Sequence, residues 1–492
     1  MSKASKPMSN NNQKTACIIG GGMSGLFTGA LLAKNGYKVT VLEKNHIIGG
    51  GLQSFYRDGL VFNTGIQSFA GFVPNMITLH LCNYLGITHL LQVLPTDKDA
   101  QEIVWYDKKS FFMLPRGRKA FTKYLIQQFP DEKNGICKMM DTIFHVGESF
   151  DYLYIKPVQR HSDNIPYAYL TADEFIRLYV KDKKLFFLLS YIGWTTGHSL
   201  KYMPALEFCM MLTLYIIGSH RFKGGSQQLV DALCNVIESN NGHVINDTII
   251  TDVKIENNQV KYVQSADGNK WINDCYIWSC APKLLLDITD SHIFRLAMMQ
   301  RIKEYKNPFS CNIVFCKLKK NKFKFINSPV YMPLPSHKQY LPQTMVLITS
   351  PQTGDNLWAE TVEIYVPSTI EDIAQWTNTK VQQRGKDYED YKSAMAQKTL
   401  NDIAVFYPGL IDSVEIVTTA TALTIRDYYG NPNGAAFGQQ GLYLPIKTKV
   451  TNLYMAGQAV QNQGLAGIAT TTVFLTETIL GRSLIEEIAA AK

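Results

Sequence analysis

Three glycines, a glutamate and a second glycine cluster, all within residues 17–51 (CIIGGGMSGLFTGALLAKNGYKVTVLEKNHIIGGG), form a pattern suited to holding a diphosphate. Gly20, Gly22 and Gly25 fit G-x-G-x-x-G. In that spacing the first glycine permits a tight turn, the second lets a pyrophosphate approach bare backbone, and the third lets a helix pack closely on a strand. Glu43 follows after about twenty residues, where a carboxylate can accept hydrogen bonds from both hydroxyls of an adenosine ribose. These positions require particular elements. The apolar run 16–19 suits a buried parallel strand. Met23 and Ser24 open a helix whose Leu26, Gly29, Ala30 and Ala33 share one face, and Asn35-Gly36 ends it. A second strand, residues 37–42, delivers Glu43 and Lys44 at its tip.

The glycines at 49–51 choose between dinucleotides. An NAD site has no need of bare backbone just beyond the acidic residue. An extended FAD has that need, because its pyrophosphate and ribityl chain run past the first helix, so Gly50, Gly51 and Leu52 are expected beside it. Residues 222–260 read as turn, helix, then a hairpin of short strands. Residues 452–480 (NLYMAGQAVQNQGLAGIATTTVFLTETIL) read as strand, two glycine turns and a helix. Gly457, Gln458, Gly464, Leu465 and Ala466 are the expected cofactor contacts there, with the positive end of the last helix facing a phosphate or a reduced flavin.

Composition excludes several classes. The nine cysteines form no CxxC pair and do not cluster with the ten histidines, so neither a disulfide framework nor a metal site is expected, and a reducing cytoplasm suits the chain. Residues 1–14 read as a disordered lead-in without an apolar signal core. No run reaches the ~18 apolar residues that cross a bilayer; the richest, 205–218, carries Glu207. The net charge is +8. Its densest patch, KLKKNKFKF at 317–325, reads as a solvated strand edge, with an anionic membrane surface as the alternative; no nucleic-acid module accompanies it. There is no G-x-S-x-G elbow, P-loop or HExxH.

The order of these segments, with DGLVFNTGIQSFAGF (58–72), LPRGRKAFTKYLIQQFP (114–130), TIRDYYGNPNGAAFGQQ (424–440) and KTKVTNLYMAGQAVQNQGLAGI (447–468), resembles the phytoene desaturase superfamily of flavoproteins, most closely its retinol saturase and carotene isomerase branch. The resemblance runs from about residue 15 to the end and is thin at 131–221. Three departures stand out: Asn63 and Gln67 replace an acid and a histidine, Gly51 replaces the arginine of desaturases and amine oxidases, and Gln461-Asn462-Gln463 replaces a His-Pro pair. The implied fold is α/β: a Rossmann-type FAD-binding domain in a two-domain, glutathione-reductase-like flavoprotein, with an inserted α+β substrate domain. The expected boundaries are 15–100, 219–290 and 416–492 for the first, and 101–218 with 291–415 for the second. Strands at 318–325, 345–349 and 360–366 would cover the flavin, and helices at 184–192 and 206–217 would roof it. In flavoproteins of this build the Val253 position lays a backbone amide against the adenine.

The resemblance implies an FAD-dependent oxidoreductase acting on a carbon–carbon double bond of an apolar isoprenoid or polyene. The alternatives are a flavin amine oxidase and a non-catalytic, flavin-bearing lipid carrier. FAD would be non-covalent, since no histidine follows His337 and no cysteine follows Cys316. A second nucleotide fingerprint is absent, so electrons would come from transiently docked NAD(P)H or another donor. Tyr428 and Tyr429, in a turn, and Glu207, on an apolar helix, are candidates for handling a proton; Gln67 is a candidate for touching the flavin or lining the pocket. An apolar substrate also makes peripheral membrane contact an expectation.

Overall fold

The computed structural model describes residues 13–65, 68–156, 167–289, 293–305, 309–335, 338–437, 444–458, 460 and 463–491. Strand β1 (Thr15–Ile19) runs into helix α1 (Met23–Lys34), and β2 (Lys38–Leu42) returns beside it. They form the centre of a five-stranded parallel sheet in the order His243–Ile245, β2, β1, Cys275–Trp278, Leu453–Met455. A parallel sheet is covered on both faces, which is why Cys17–Ile19 and Cys275–Trp278 are wholly apolar and buried. Helix α1 is buried along nearly its whole length, packed between the helices Gln227–Ser239 and Gly464–Leu480. The sheet thus gathers the start, middle and end of the chain. One detail differs from the sequence reading: after helix Gln227–Ser239 the first short strand joins this parallel sheet, and the hairpin is formed only by Ile250–Glu256 and Gln259–Ser265.

A second, seven-stranded sheet stands apart from the first. Its order is Val414–Ala420, Ser310–Leu318, Asp355–Ser368, Thr344–Gln352, Val330–Pro333, Glu102–Trp105, Phe111–Leu114. The strands Glu102–Trp105 (β3) and Val330–Pro333 (β4) make its parallel pair; the other pairings are antiparallel. Helix α2 (Ala205–Ile217) contributes to the cavity wall described below. The strand expected at 318–325 is not there. Ser310–Leu318 ends at Leu318, and Asn321 turns the chain with a left-handed φ of 57°. Lys319, Lys320 and Lys322 sit exposed on that turn while Phe323 folds back into the core behind the sheet. The turn takes residues 319–322; beyond it Lys324 makes an isolated antiparallel bridge with Trp358, so the pleat survives only over residues 323–325. Among the described residues no helix is long and apolar enough to cross a membrane.

Candidate active site

The glycine loops meet where the first sheet faces the second. Gly20 adopts φ 106° and Gly49 φ 128°, conformations open chiefly to glycine. The Gly49 amide donates to the Gly21 carbonyl at 2.9 Å, so the two clusters pair as one cradle. A Cβ on Gly25 would lie 2.1 Å from the Gly20 carbonyl oxygen, the close helix–strand approach that the third glycine serves. A Cβ on Gly22 would meet no atom within 4 Å, because Gly22 borders a cavity. Helix α1 begins at this cavity without a side-chain cap, as does Gly464–Leu480. Two uncapped N-termini present free amides and positive dipole ends to one space. The Gly457 amide donates to Ser24 Oγ at 2.9 Å and ties the start of α1 to the glycine turn that follows strand Leu453–Met455. Ser279 Oγ and Gln463 Oε1 lie buried on the same wall without hydrogen-bond partners. Bare backbone, paired helix starts and unpaired polar atoms together fit the diphosphate and polar ring edge of a flavin nucleotide.

The cavity measures about 360 Å³. Away from the glycines the cavity has apolar and aromatic walls from Met210, Leu214 and Tyr215 of α2, Val346 and Ile348 of the second sheet, and Trp194, alongside polar Thr64, Ser68, Thr195, Asn431 and Asn433. Tyr331, Tyr365, Phe309 and Phe437 complete that chamber. Among the described lining residues Lys283 is the only charged one.

Gly22, Met23, Ser24, Gly50, Gly51 and Leu52 line this cavity, and so do Gly457, Gln458, Gly464, Leu465 and Ala466. Gly20 and Gly25 lie behind the cradle and shape it. The buried Glu43 carboxylate accepts from the Gly21 amide at 2.8 Å and the Asn45 amide at 2.9 Å, which fixes its orientation at the tip of β2. Lys44 turns away and donates to the Asp427 carbonyl at 2.6 Å. Val253 is not among the residues lining this cavity, and its amide donates to the Ile288 carbonyl at 3.4 Å. Tyr428 and Tyr429 are in the last turn of helix Ala422–Tyr429, not in a loop, so they point in different directions. Tyr428 is 46% exposed and is not among the residues lining this cavity. Tyr429 lines the cavity, its hydroxyl donates to the Thr64 carbonyl at 2.7 Å, and burial pushes its phenol well up. Asp427 pairs with Arg384 and Arg426 as a structural neighbour. Glu207, in the first turn of α2, is not among the residues lining this cavity, and burial raises its carboxyl to about 7. Gln67 lies outside the described residues.

The residues that sequence reasoning missed are the chamber's own. Tyr331, Tyr365 and Phe309 come from the second sheet and its approaches, and Trp194 from the turn Ser190–Thr195. Behind them Glu363 accepts from the Tyr365 hydroxyl at 2.7 Å and faces buried Arg221. The available signal was alternation: Glu363 and Tyr365 share one face of a long strand, and a glutamate in that phase announces a buried charge.

Comparison with known proteins agrees with this geometry. Residues 23–282, more than half of the chain, match the family described as flavin containing amine oxidoreductase. The all-trans-retinol 13,14-reductase of Homo sapiens is 23% identical over 541 residues, covering 96% of this chain and 86% of that protein. A chloroplastic prolycopene isomerase 1 from an Oncidium hybrid cultivar is 24% identical over 500 residues, covering 92% of this chain and 81% of that one. The crystal structure of an oxidoreductase from Methanosarcina mazei shares the fold, with a TM-score of 0.64 at 15% identity over 94% of this chain and 100% of that one. The resemblance read from the glycine motifs is thereby borne out, as is the two-domain flavoprotein fold. Matched over more than half its length and carrying a cradle that fits FAD, the chain belongs to the flavin containing amine oxidoreductase family and is an FAD-dependent oxidoreductase.

Proposed function

We propose that this enzyme adds or removes hydrogen across, or isomerises, a carbon–carbon double bond of a long apolar isoprenoid or polyene, most like a retinol saturase. The observation that carries the reading is the continuity of one cavity from the glycine cradle into a chamber walled by aromatic and methionine side chains. A polyene gains from such a wall through apolar burial and ring contact. Bound FAD supplies two-electron hydride exchange, chemistry beyond ordinary side chains. The chain's own residues do the rest. Met210, Leu214 and Ile348 would hold the hydrocarbon and exclude water, Gly22, Gly50 and the two helix starts would seat the diphosphate, and Glu43 would face the adenosine ribose. The names of the reductase and isomerase relatives support the substrate class.

An amine substrate fits less well. An ammonium group seeks a carboxylate, and no aspartate or glutamate is among the described lining residues, while Lys283 is. A carrier without catalysis would hold flavin that no donor reduces. The deciding experiment incubates the purified holoprotein with all-trans-retinol and a carotenoid panel. Anaerobically, with the flavin reduced, it reads saturation and isomerisation; aerobically, with the flavin oxidised, it reads desaturation and, over an amine panel, peroxide. Products gaining or losing two hydrogens, or isomers of equal mass, are expected. Unchanged retinoids and carotenoids, with peroxide released from an amine panel, refute the reading.

The reading extends to electron supply by transiently docked NAD(P)H, to a cytoplasmic setting and to peripheral contact with anionic membrane, supported by the +8 charge. Sedimentation with anionic liposomes no greater than that of a soluble control removes the membrane part. It also retains the segmental division, with residues 101–218 and 291–415 forming the substrate side.

A further inference from the structure

Behind the chamber wall lies a further buried acid, Glu102. Glu102 opens β3 and is 0% exposed. Its Oε1 accepts from the Ser219 hydroxyl at 3.2 Å, and its Oε2 is buried without a hydrogen-bond partner. β3 lies parallel to β4 with Val104 opposite Tyr331, and the Tyr331 phenol interacts with the Glu102 carboxyl. The Tyr331 ring packs against Tyr191 with centroids 5.2 Å apart and borders the cavity together with Tyr215. The groups facing Glu102 are therefore three phenols, Tyr331 from β4, Tyr215 from α2 and Tyr191 from the turn Ser190–Thr195, and one serine hydroxyl. No cation among the described residues contributes to its ionisation.

Glu363 supplies the contrast within the same sheet. It faces the Arg221 guanidinium and so has a counter-charge. A carboxylate at Glu102 would have none, and an unpaired charge in such a place is expensive. The neutral acid is the stable form, and burial raises its pKa to about 8. A carboxylic acid that keeps its proton at neutral pH, on the same sheet face as a phenol that borders the cavity, is a proton store with an outlet.

We propose that Tyr331 is the catalytic proton donor to the substrate double bond and that Glu102 is the positioning acid that restores its proton. This rests on the polyene reading above. In saturation the Tyr331 O–H bond breaks while the π pair forms a C–H bond at one carbon. The other carbon takes the hydride that is the cofactor's share of the chemistry, replenished by an external hydride donor of the dihydronicotinamide class. The Glu102 proton passes to the phenolate, and the carboxylate regains a proton from water. The double bond gains two hydrogens, the donor is oxidised, and both side chains return to their starting state. Desaturation is the reverse.

Two measurements test this. Infrared difference spectra of the cofactor-free protein, wild type against Glu102→Gln, should show a neutral carboxyl band at pH 7 that titrates near pH 8. In holoprotein of unchanged flavin spectrum, Tyr331→Phe should lower turnover of a polyene by about 10²- to 10⁴-fold with ligand affinity within threefold. Glu102→Gln should abolish the falling limb of the pH profile. Should Tyr331→Phe misfold, fluorotyrosine at position 331 preserves packing, lowers the phenol pKa, and should move that limb to lower pH. Turnover of Tyr331→Phe within threefold of wild type, an unmoved limb, or no neutral carboxyl at pH 7 overturns the proposal. If wild type turns over no polyene while the neutral carboxyl is present, the substrate reading fails and the donor role with it. A polyene turned over equally well without the phenol overturns the donor role alone.

Discussion

Two glycines three residues apart should fail in opposite ways. At Gly25 an added Cβ falls 2.1 Å from the Gly20 carbonyl oxygen and 3.2 Å from Ile18 Cγ2. The obstacle is backbone, so α1 must lift from β1 by roughly 1 Å to restore contact, and overpacking of this kind costs about 1–3 kcal/mol. Gly25→Ala should therefore destabilise the cofactor-free protein in denaturant titration. At Gly22 the backbone has φ −76°, which alanine accepts, and an added Cβ meets nothing within 4 Å. Gly22→Ala should keep the cofactor-free stability to within about 1 kcal/mol, the scale of an N-cap change. Its methyl group instead enters the space where the cofactor's diphosphate would meet the first amides of α1. Two charge-assisted hydrogen bonds lost there, at about 1.5 kcal/mol each, amount to about 3 kcal/mol. At 1.4 kcal/mol per decade that weakens FAD more than hundredfold. Equilibrium binding of FAD to the cofactor-free variants, read by flavin fluorescence, separates the two effects. Gly22→Ala protein that binds FAD within threefold of wild type would refute the cradle, whatever its stability.

Ser24→Ala removes the acceptor for the Gly457 amide and should cost about 1–3 kcal/mol in denaturant unfolding while loosening FAD, since the start of α1 and the glycine turn after Leu453–Met455 are tied there. Tyr428→Ala should leave turnover within twofold of wild type, because that side chain faces solvent; a large loss would return it to the substrate face. Glu102 makes stability depend on pH. Its carboxyl, raised by burial from an ordinary value near 4.5 to about 8, stays protonated in the folded chain where the unfolded chain has lost the proton. Stability therefore falls as pH rises through that window, by up to about 1.4 kcal/mol per unit, and Glu102→Gln should flatten the slope measured between pH 5 and 8.

The parts of this site that could be read in advance are those whose physics is local. Gly20, Gly22 and Gly25 announce themselves because a turn, a bare approach and a helix–strand contact all fall within six residues, and Glu43 is fixed by one short strand. The chamber has no such signature. Glu102 and Tyr331 stand more than two hundred residues apart, and they meet only because β3 inserts beside β4 in a sheet that is otherwise antiparallel. Pairing of that kind depends on which strands reach the sheet edge together, and residue type alone does not specify it. Tyr428 and Tyr429 show the same limit at short range. A turn leaves both free to face the substrate, whereas a helix separates neighbours by about 100° and admits only one. Even so, the strand E-I-V-W carries a clue in its phase. Glu102 falls on the same side as the buried Val104, and a glutamate in register with a core valine must be paired, neutral or functional. Among the described residues the structure supplies phenols and no counter-charge, which leaves a neutral acid behind the wall of a cavity proposed to hold a hydrocarbon.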